Sequence, residues 1–386
     1  MNVYLDNAST TKLSTNVFIS MKPYIFDFYG NPSSIHRYGI EAKSILERSR
    51  LFVSEILNTD PSEIFFTSGG TEGNNMIIYG FIKKFKIKNV ITSPIEHYSI
   101  IKPLKNLYND GLINLNFLNI DEYGNIDYIH LENLLKKNNN SMVLLMHVNN
   151  EIGNINNISL ISNLCKKYSS IFHSDVVQSI GCFKYNLQLL PVHFLVASAH
   201  KFHGPKGIGL VYMNKSTSIN SFISGGIQEM GIRAGTENIS GVVGFAKSLE
   251  IAYNNMKKNK SYIEGLKYRM ICKLKKNIPN VIFNGNSGDM KKSIYNLLNV
   301  SFPSVNDYNM FLFDLNIKNI FVSSGSACIS GATNSSHVLN FLNLKNNIYK
   351  KKGIRFSFSK YNTVEEIDYV VNKISEILLR LNHFKN

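Results

Sequence analysis

The sequence predicts an α/β protein with a mostly parallel sheet and a smaller α+β part towards its C-terminal end. Three observations lead there. Between about residues 40 and 215, helical periodicity alternates with short apolar runs, the pattern of strands joined by crossover helices. Those runs are apolar on both alternating positions, as strands covered on both faces are. After about residue 240 the pattern changes to a long helical stretch followed by a few short strands.

In chain order, "IEAKSILERSRLFVSEILN" puts Ile45, Phe52 and Ile56 on one helical face, and "EIFFTSGG" reads as a strand ending in glycine. Further strands are expected at "NVITS", "MVLLMHV", "SIFHSDV", "FLVASAH" and "IGLVYM", with helices such as "ISNLCKKYSS" between some of them. "VVGFAKSLEIAYNNMKKN" begins one long helical stretch. "NLLNVSF", "IFVSSGSACIS" and "GIRFSFS" follow as strands or strand ends. A last helix starts at "TVEEIDYVVNKISEILLRL", where Thr363 and Glu366 fit a capping box. The division expected is a large domain over 15–255 and a small C-terminal domain over 256–386, which residues 1–14 join.

Composition narrows the function classes. With 386 residues, 44 % hydrophobic and 18 % charged, the chain is that of a globular protein with a sizeable core. It carries no long apolar run and no charged-then-apolar N-terminal segment, so neither a membrane span nor a signal peptide is expected, and a cytoplasmic location follows. The formal charge of +15 invites a nucleic-acid or basic-scaffold reading. Its lysines, however, fall in scattered pairs beside asparagine ("IKKFKIKN", "LLKKNNN", "KKNKSY") without interleaved aromatics, so no direct nucleic-acid contact is expected. Cys165, Cys182, Cys272 and Cys328 form no CxxC pair and no zinc spacing.

In an open parallel sheet the ligand site lies beyond the carboxyl ends of the strands. The segments there are "TSGGTEGNN", "SPIEHYS", "VNNEIG", "HSDVVQS" and "SAHKFHG". The first is a small-residue turn opening a helix, suited to a phosphate, although a plain glycine turn reads the same way. "GPKGIGLVYM" leads its glycines into a strand rather than a helix, which removes the dinucleotide logic. Asp175 could pair with a ring nitrogen and Gln178 reach a ring hydroxyl, while a helix N-cap by Asp175 remains open. Lys201 of "SAHKFHGPKGIG" shifts the balance. A lysine at a strand end beside Ser198 and His200, near an anion-binding turn and an acid, suits Schiff-base capture of an aldehyde cofactor.

Taken together, "YLDNASTT", "GNPSSIHRYG", "FTSGGTEGNN", "VNNEIG", "SAHKFHGPKGIG", "RAGTEN", "SSGSACISG" and "IRFSFS" span nearly the whole chain. In this order they closely resemble the cysteine desulfurases of the class V aminotransferase superfamily. The resemblance implies a fold-type I transferase with a seven-stranded, mostly parallel sheet, and pyridoxal 5'-phosphate as cofactor, bound through Lys201. It also implies that Gly70, Thr71, Ser198 and His200 hold the phosphate, that His97 stacks on the ring and moves protons, and that Asp175 pairs with the ring nitrogen. Asn150 and Gln178 would orient ring and substrate, and Arg355 would clamp the substrate carboxylate.

Cys328, in a run of small residues, would take sulfur from L-cysteine as a persulfide, with alanine released, and pass it to an iron-sulfur scaffold or a sulfur carrier, and to RNA thiolation. The run into "SSHVLNFL" resembles the longer-loop type that serves iron-sulfur assembly, although Ile329 stands where that type often has threonine. No resident metal is expected, Cys328 being at most a transient iron-sulfur ligand. A homodimer is implied, with Thr236 of "RAGTEN" reaching the partner's cofactor. Cys165, Cys182 and Cys272 match no catalytic motif and read as small hydrophobes. A selenocysteine lyase or another class V transaminase remains the nearest alternative, and a non-catalytic basic scaffold the more distant one.

Overall fold

A computed structural model describes residues 1–325, 336–346 and 352–383. The chain opens with β1 (Val3–Tyr4), α1 (Thr15–Met21), α2 (Pro23–Phe26) and α3 (Arg37–Leu57). There follow β2 (Ile64–Thr67), α4 (Gly70–Phe85), β3 (Asn89–Thr92), α5 (Tyr98–Asn109), β4 (Asn114–Phe117), α6 (Tyr128–Lys137), β5 (Met142–Leu144) and α7 (Ile158–Lys167). β6 (Ile171–Asp175), β7 (Phe194–Ser198) and β8 (Gly209–Met213) complete the alternating region. The remainder comprises α8 (Ile239–Asn254), α9 (Met256–Asn277), β9 (Ile282–Phe283), β10 (Leu297–Ser301), α10 (Tyr308–Ile317), β11 (Ile320–Phe321), α11 (His337–Asn346), β12 (Ile354–Ser357) and α12 (Val364–His383).

The expected seven-stranded sheet is present in the order β2-β8-β7-β6-β5-β3-β4. Only β8 runs against its neighbours β2 and β7; the other pairings are parallel. Alternation along each strand splits the core into two layers. Phe66, Val143, Leu195 and Tyr212 pack with α3, α7 and α8, whereas Phe65, Leu144, Val196 and Val211 pack with α4 and α5. Both faces are covered, which is why the strands read as continuous apolar runs.

The sequence expectations need four corrections. The edge strand β4, "NLNF", was not anticipated, because an edge bonded to one neighbour only tolerates polar alternation and lacks the apolar signal. The buried stripe of α3 runs through Ala42, Ile45, Leu46, Arg50, Val53 and Leu57, while Phe52 and Ile56 sit at its half-buried margin. The long helical stretch after residue 240 is two helices that break at Asn255. Cys272 is exposed on α9, unlike buried Cys165. The Thr363–Glu366 box is formed, with the Glu366 amide donating to Thr363 Oγ1 at 3.2 Å and the Thr363 amide to Glu366 Oε2 at 3.1 Å.

A third core gathers β10, β12, α9, α10 and α12 together with Val3, Leu5 and Ala8 of the N-terminal segment. On these cores we propose dividing the chain into 15–255 and 256–386, with residues 1–14 joined to the second part. No helix among the described residues is long and apolar enough to cross a membrane.

Candidate active site

Where the main sheet meets the third core, a cavity of about 160 Å³ is lined by residues from the strand ends of the first and by Ala8, Ser9 and Arg355 from the second. It brings together Gly70, Thr71, His97, Asn150, Asp175, Gln178, Ser198, His200, Lys201 and Arg355, ten positions expected from the sequence. Thr236 lies elsewhere. It is exposed and lines neither this cavity nor the adjoining one beside Thr10, Ser68, Gly69 and Lys206. Cys328 lies outside the described residues.

Lys201 sits in a short 3-10 turn after β7, and its ammonium donates to the carbonyls of Ala8 at 2.7 Å and Ser9 at 2.8 Å. The same N-terminal segment accepts from Gln178 Nε2 at its Ala8 carbonyl, 3.0 Å away. Asp175 ends β6 and is followed by turns, not by the helix that an N-cap role needs. Its Oδ1 accepts from the Val177 amide at 2.9 Å and its Oδ2 from Asn74 Nδ2 at 2.8 Å, which fixes the carboxylate in place.

Asn74 is the hub of a directional chain that the sequence reading missed. His173 Nε2 must donate to Asn74 Oδ1, 2.9 Å away, since that oxygen only accepts. Asn74 Nδ2 then donates to both Asp175 Oδ2 and Ser99 Oγ, the latter at 2.8 Å. Having accepted there, Ser99 Oγ donates to His97 Nδ1 at 2.8 Å, and the Ser99 amide adds a 3.2 Å bond to the same nitrogen. His97 is therefore held with Nδ1 as acceptor and its proton on Nε2. Burial lowers its pKa, as do the charge of Lys201 and that of His337, against the opposing pull of Asp175. The available signal for Asn74 was its spacing, four residues after Gly70 and so one turn along the same helix face.

At the anion-binding end, Gly70 opens α4 and leaves its first amides without intrahelical partners. A Cβ on Gly70 would lie 2.8 Å from Val177, so only glycine lets the turn pack this closely on the loop after β6. His200 Nδ1 lies 3.2 Å from Thr10 Oγ1, and burial with the charges of Lys201 and Lys206 pushes its pKa down to about 4, keeping it neutral.

Arg355, on β12, is buried. Its Nη1 donates to the Asn150 carbonyl at 2.8 Å, and its Nη2 to Asp6 Oδ1 at 2.9 Å and Ser9 Oγ at 2.6 Å. Its Nε is buried and has no partner among the described residues. Asp6 and Ser9 belong to "YLDNASTT", a motif that carried the family resemblance without showing which of its residues served the site.

The arrangement offers an amine, a fixed carboxylate, an anion-binding helix end and a guanidinium around one cavity. A model of the aminotransferase class-V family matches residues 3–370. Among curated proteins, the chain is 38 % identical over 381 residues to "Cysteine desulfurase IscS" of Dictyoglomus turgidum, covering 98 % of this chain and 95 % of that one. It is 36 % identical over 378 residues to the protein of the same name from Clostridium botulinum, covering 97 % and 94 %. Among solved structures, a "NifS-like protein" superposes with a TM-score of 0.89 at 35 % identity, covering 98 % of this chain and all of that one. "SspA in complex with cysteine" superposes with a TM-score of 0.76 at 26 % identity, covering 94 % of this chain and 100 % of that one. The chain belongs to the aminotransferase class-V family.

Proposed function

We propose that this chain is a cysteine desulfurase that uses pyridoxal 5'-phosphate, releases alanine from L-cysteine and keeps the sulfur as a persulfide on Cys328. The observation that carries the reading is the convergence of Lys201, Asp175 and Arg355 on one cavity with the opening turn of α4. The residues fit the cofactor. The cavity has an amine for its aldehyde, a carboxylate immobilised by Asn74 and Val177 for its ring nitrogen, and a glycine-tight helix start for its phosphate. The Nε of Arg355, which has no partner among the described residues, is a donor left over for a substrate carboxylate.

When bound, the cofactor supplies a reactive carbonyl carbon and an electron-withdrawing ring. Lys201 would hold its carbonyl carbon, and Asp175 would keep a proton on its ring nitrogen. Gly70, Thr71, Ser198 and His200 would bind its phosphate. His97 would stack on the ring and move protons, Asn150 and Gln178 would orient ring and substrate, and Arg355 would bind the substrate carboxylate. The Cys328 thiolate then bonds to the substrate sulfur as the substrate carbon-sulfur bond breaks, and the freed electron pair takes up a proton at carbon. Cysteine plus the Cys328 thiol thus become alanine plus a Cys328 persulfide, with no external oxidant.

A homodimer completes the reading. Phe26, Ile35 and Ile227 are 66 %, 94 % and 90 % exposed, apolar side chains that a partner subunit would take out of water. The loop that carries Ile227 is bound to α3 through Glu229 and Arg50. We assign this face to the partner subunit, whose phosphate site Thr236 would then reach. The persulfide acceptor is an iron-sulfur scaffold or a sulfur carrier. Alanine formation from cysteine by the purified protein tests the reading; its absence in a protein loaded with cofactor would remove it.

A further inference from the structure

A second cleft, of about 790 Å³, shares no lining residue with the cavity around Lys201. Alternation along the chain after β5 separates the two: Met146 and Val148 line the first, and His147 between them lines the second. His147 is only 7 % exposed. Its Nδ1 is bound to the Tyr185 hydroxyl, itself 2.7 Å from Ser179 Oγ, while no hydrogen bond among the described residues reaches its Nε2. Burial pushes the His147 pKa down to about 4, so the ring is neutral and offers one free hydrogen-bonding nitrogen at the wall of the cleft.

The rest of the lining combines apolar surface with donors. The imidazole packs against the Phe183 ring with centroids 4.7 Å apart, and Ile126, Ile158 and Leu190 extend that wall. Lys184 and, from the segment between β9 and β10, Lys291 and Lys292 also line the cleft and are exposed. None of the described residues that line it is acidic. Asp289, close by in sequence, accepts from the amides of Lys291 and Lys292 at 2.8 and 3.2 Å and does not line it. Uncharged donors add to the lysines. The Tyr128 hydroxyl accepts from the Asn157 amide at 3.0 Å, and Asn157 Oδ1 from the Leu160 amide at 3.0 Å, which leaves the Tyr128 proton and Asn157 Nδ2 to donate.

We propose that this cleft is a second binding site, for a nucleoside phosphate whose heterocycle lies against His147 and Phe183 and whose phosphates meet Lys184, Lys291 and Lys292. The volume is within the range of about 300–1,000 Å³ that small organic ligands occupy. An inorganic anion has no use for the apolar wall, and a hydrocarbon none for three lysines and a buried imidazole nitrogen. A flat heterocycle fits both demands, since its faces are apolar and its edge carries donors and acceptors. The proposal is independent of the reading of Cys328.

The test is equilibrium dialysis of labelled ADP against the cofactor-loaded protein, with adenosine and pyrophosphate measured beside it. ADP should bind once per chain and at least about tenfold more tightly than either, since each of them lacks one half of the contacts. Lys291→Ala combined with Lys292→Ala, both at the surface, should weaken ADP about tenfold or more, the worth of a charge-assisted hydrogen bond, and leave adenosine unchanged. His147→Phe keeps a ring against Phe183 but has no nitrogen, so it should weaken ADP and adenosine by the same factor. Where that variant does not fold, the lysine pair decides alone. Failure of ADP to bind at about 1 mM overturns the proposal. So does binding that the lysine pair leaves unchanged or that pyrophosphate matches, which marks attraction to surface charge only. Absence of alanine formation with ADP binding intact would instead count against the functional reading.

Discussion

Two buried charge clusters sit in this fold and are built on opposite terms. In the first, Arg50 of α3 meets Glu229 through a pair of 2.8 Å bonds, and the Phe66 amide, the Ile64 carbonyl and Glu47 add further bonds, so that every nitrogen and oxygen of the two charged groups has a partner. In the second, around the cavity, Lys201 donates to the backbone carbonyls of Ala8 and Ser9, and Arg355 keeps a buried Nε that has no partner among the described residues. A saturated cluster fixes a loop. An unsaturated one retains bonding capacity for something that is not protein, at a cost in stability. On the proposed function, the first cluster serves the fold and the second the reaction.

Opposite substitutions should separate the two. Lys201→Ala should abolish alanine release and the visible absorbance of bound cofactor, because the amine that holds the aldehyde is gone, while the melting temperature of the cofactor-free protein changes little. A large drop in melting temperature with absorbance retained would reverse the assignment. Glu229→Ala leaves Arg50 buried and uncompensated and should cost about 3–5 kcal/mol in urea unfolding. A loss below about 1 kcal/mol would show that the Arg50 knot is not the structural cluster.

The comparison is sharpened by subunit mixing. Thr236→Asp puts a carboxylate where a phosphate is expected, a repulsion of about 4 kcal/mol at ~4 Å and an effective dielectric of ~20. Co-expressed with Lys201→Ala subunits, it should restore about a quarter of the sites if Thr236 acts across the dimer, because half of the pairs are mixed and each has one intact site. A mixture that stays inactive, with mixed dimers verified by two affinity tags, refutes the shared site.

A smaller effect is expected in the third core. Lys267 of α9 is buried, donating to Ser293 Oγ at 2.7 Å and the Ile294 carbonyl at 2.8 Å, and burial pushes its pKa down to about 7. The folded state therefore releases this proton before the unfolded state does. Its destabilising contribution is complete below pH ~7 and fades as pH rises towards ~10.5, with a slope of at most about 1.4 kcal/mol per pH unit. Unfolding free energies from pH 7 to 9, compared with those of Lys267→Met, should show a rise that the variant lacks. Parallel profiles would mean that the two hydrogen bonds keep the ammonium charged throughout.

How far the sequence reached follows the same division. The strands of the main sheet were legible because both their faces are apolar, and their ends pointed to Lys201, Asp175 and His97 through residue types at loop positions. β4 was not legible, since an edge strand carries little apolar pattern. Nor was Asn74, whose significance lies in contacts made across 25 and 101 positions of chain. No local period encodes such pairings. The break at Asn255 escaped although the weak helix formers Asn254 and Asn255 mark it, because the residues on either side form one helix each and were read together.

The central claim is that sulfur from cysteine comes to rest on Cys328. Mass spectrometry of the peptides after brief exposure of the cofactor-loaded protein to cysteine tests it most directly. The account predicts one added sulfur on the Cys328 peptide, removable by a thiol reductant, and none in Cys328→Ser, which should still bind the cofactor but release no alanine. Added sulfur on Cys165, Cys182 or Cys272 instead, or alanine release undiminished in Cys328→Ser, would contradict it.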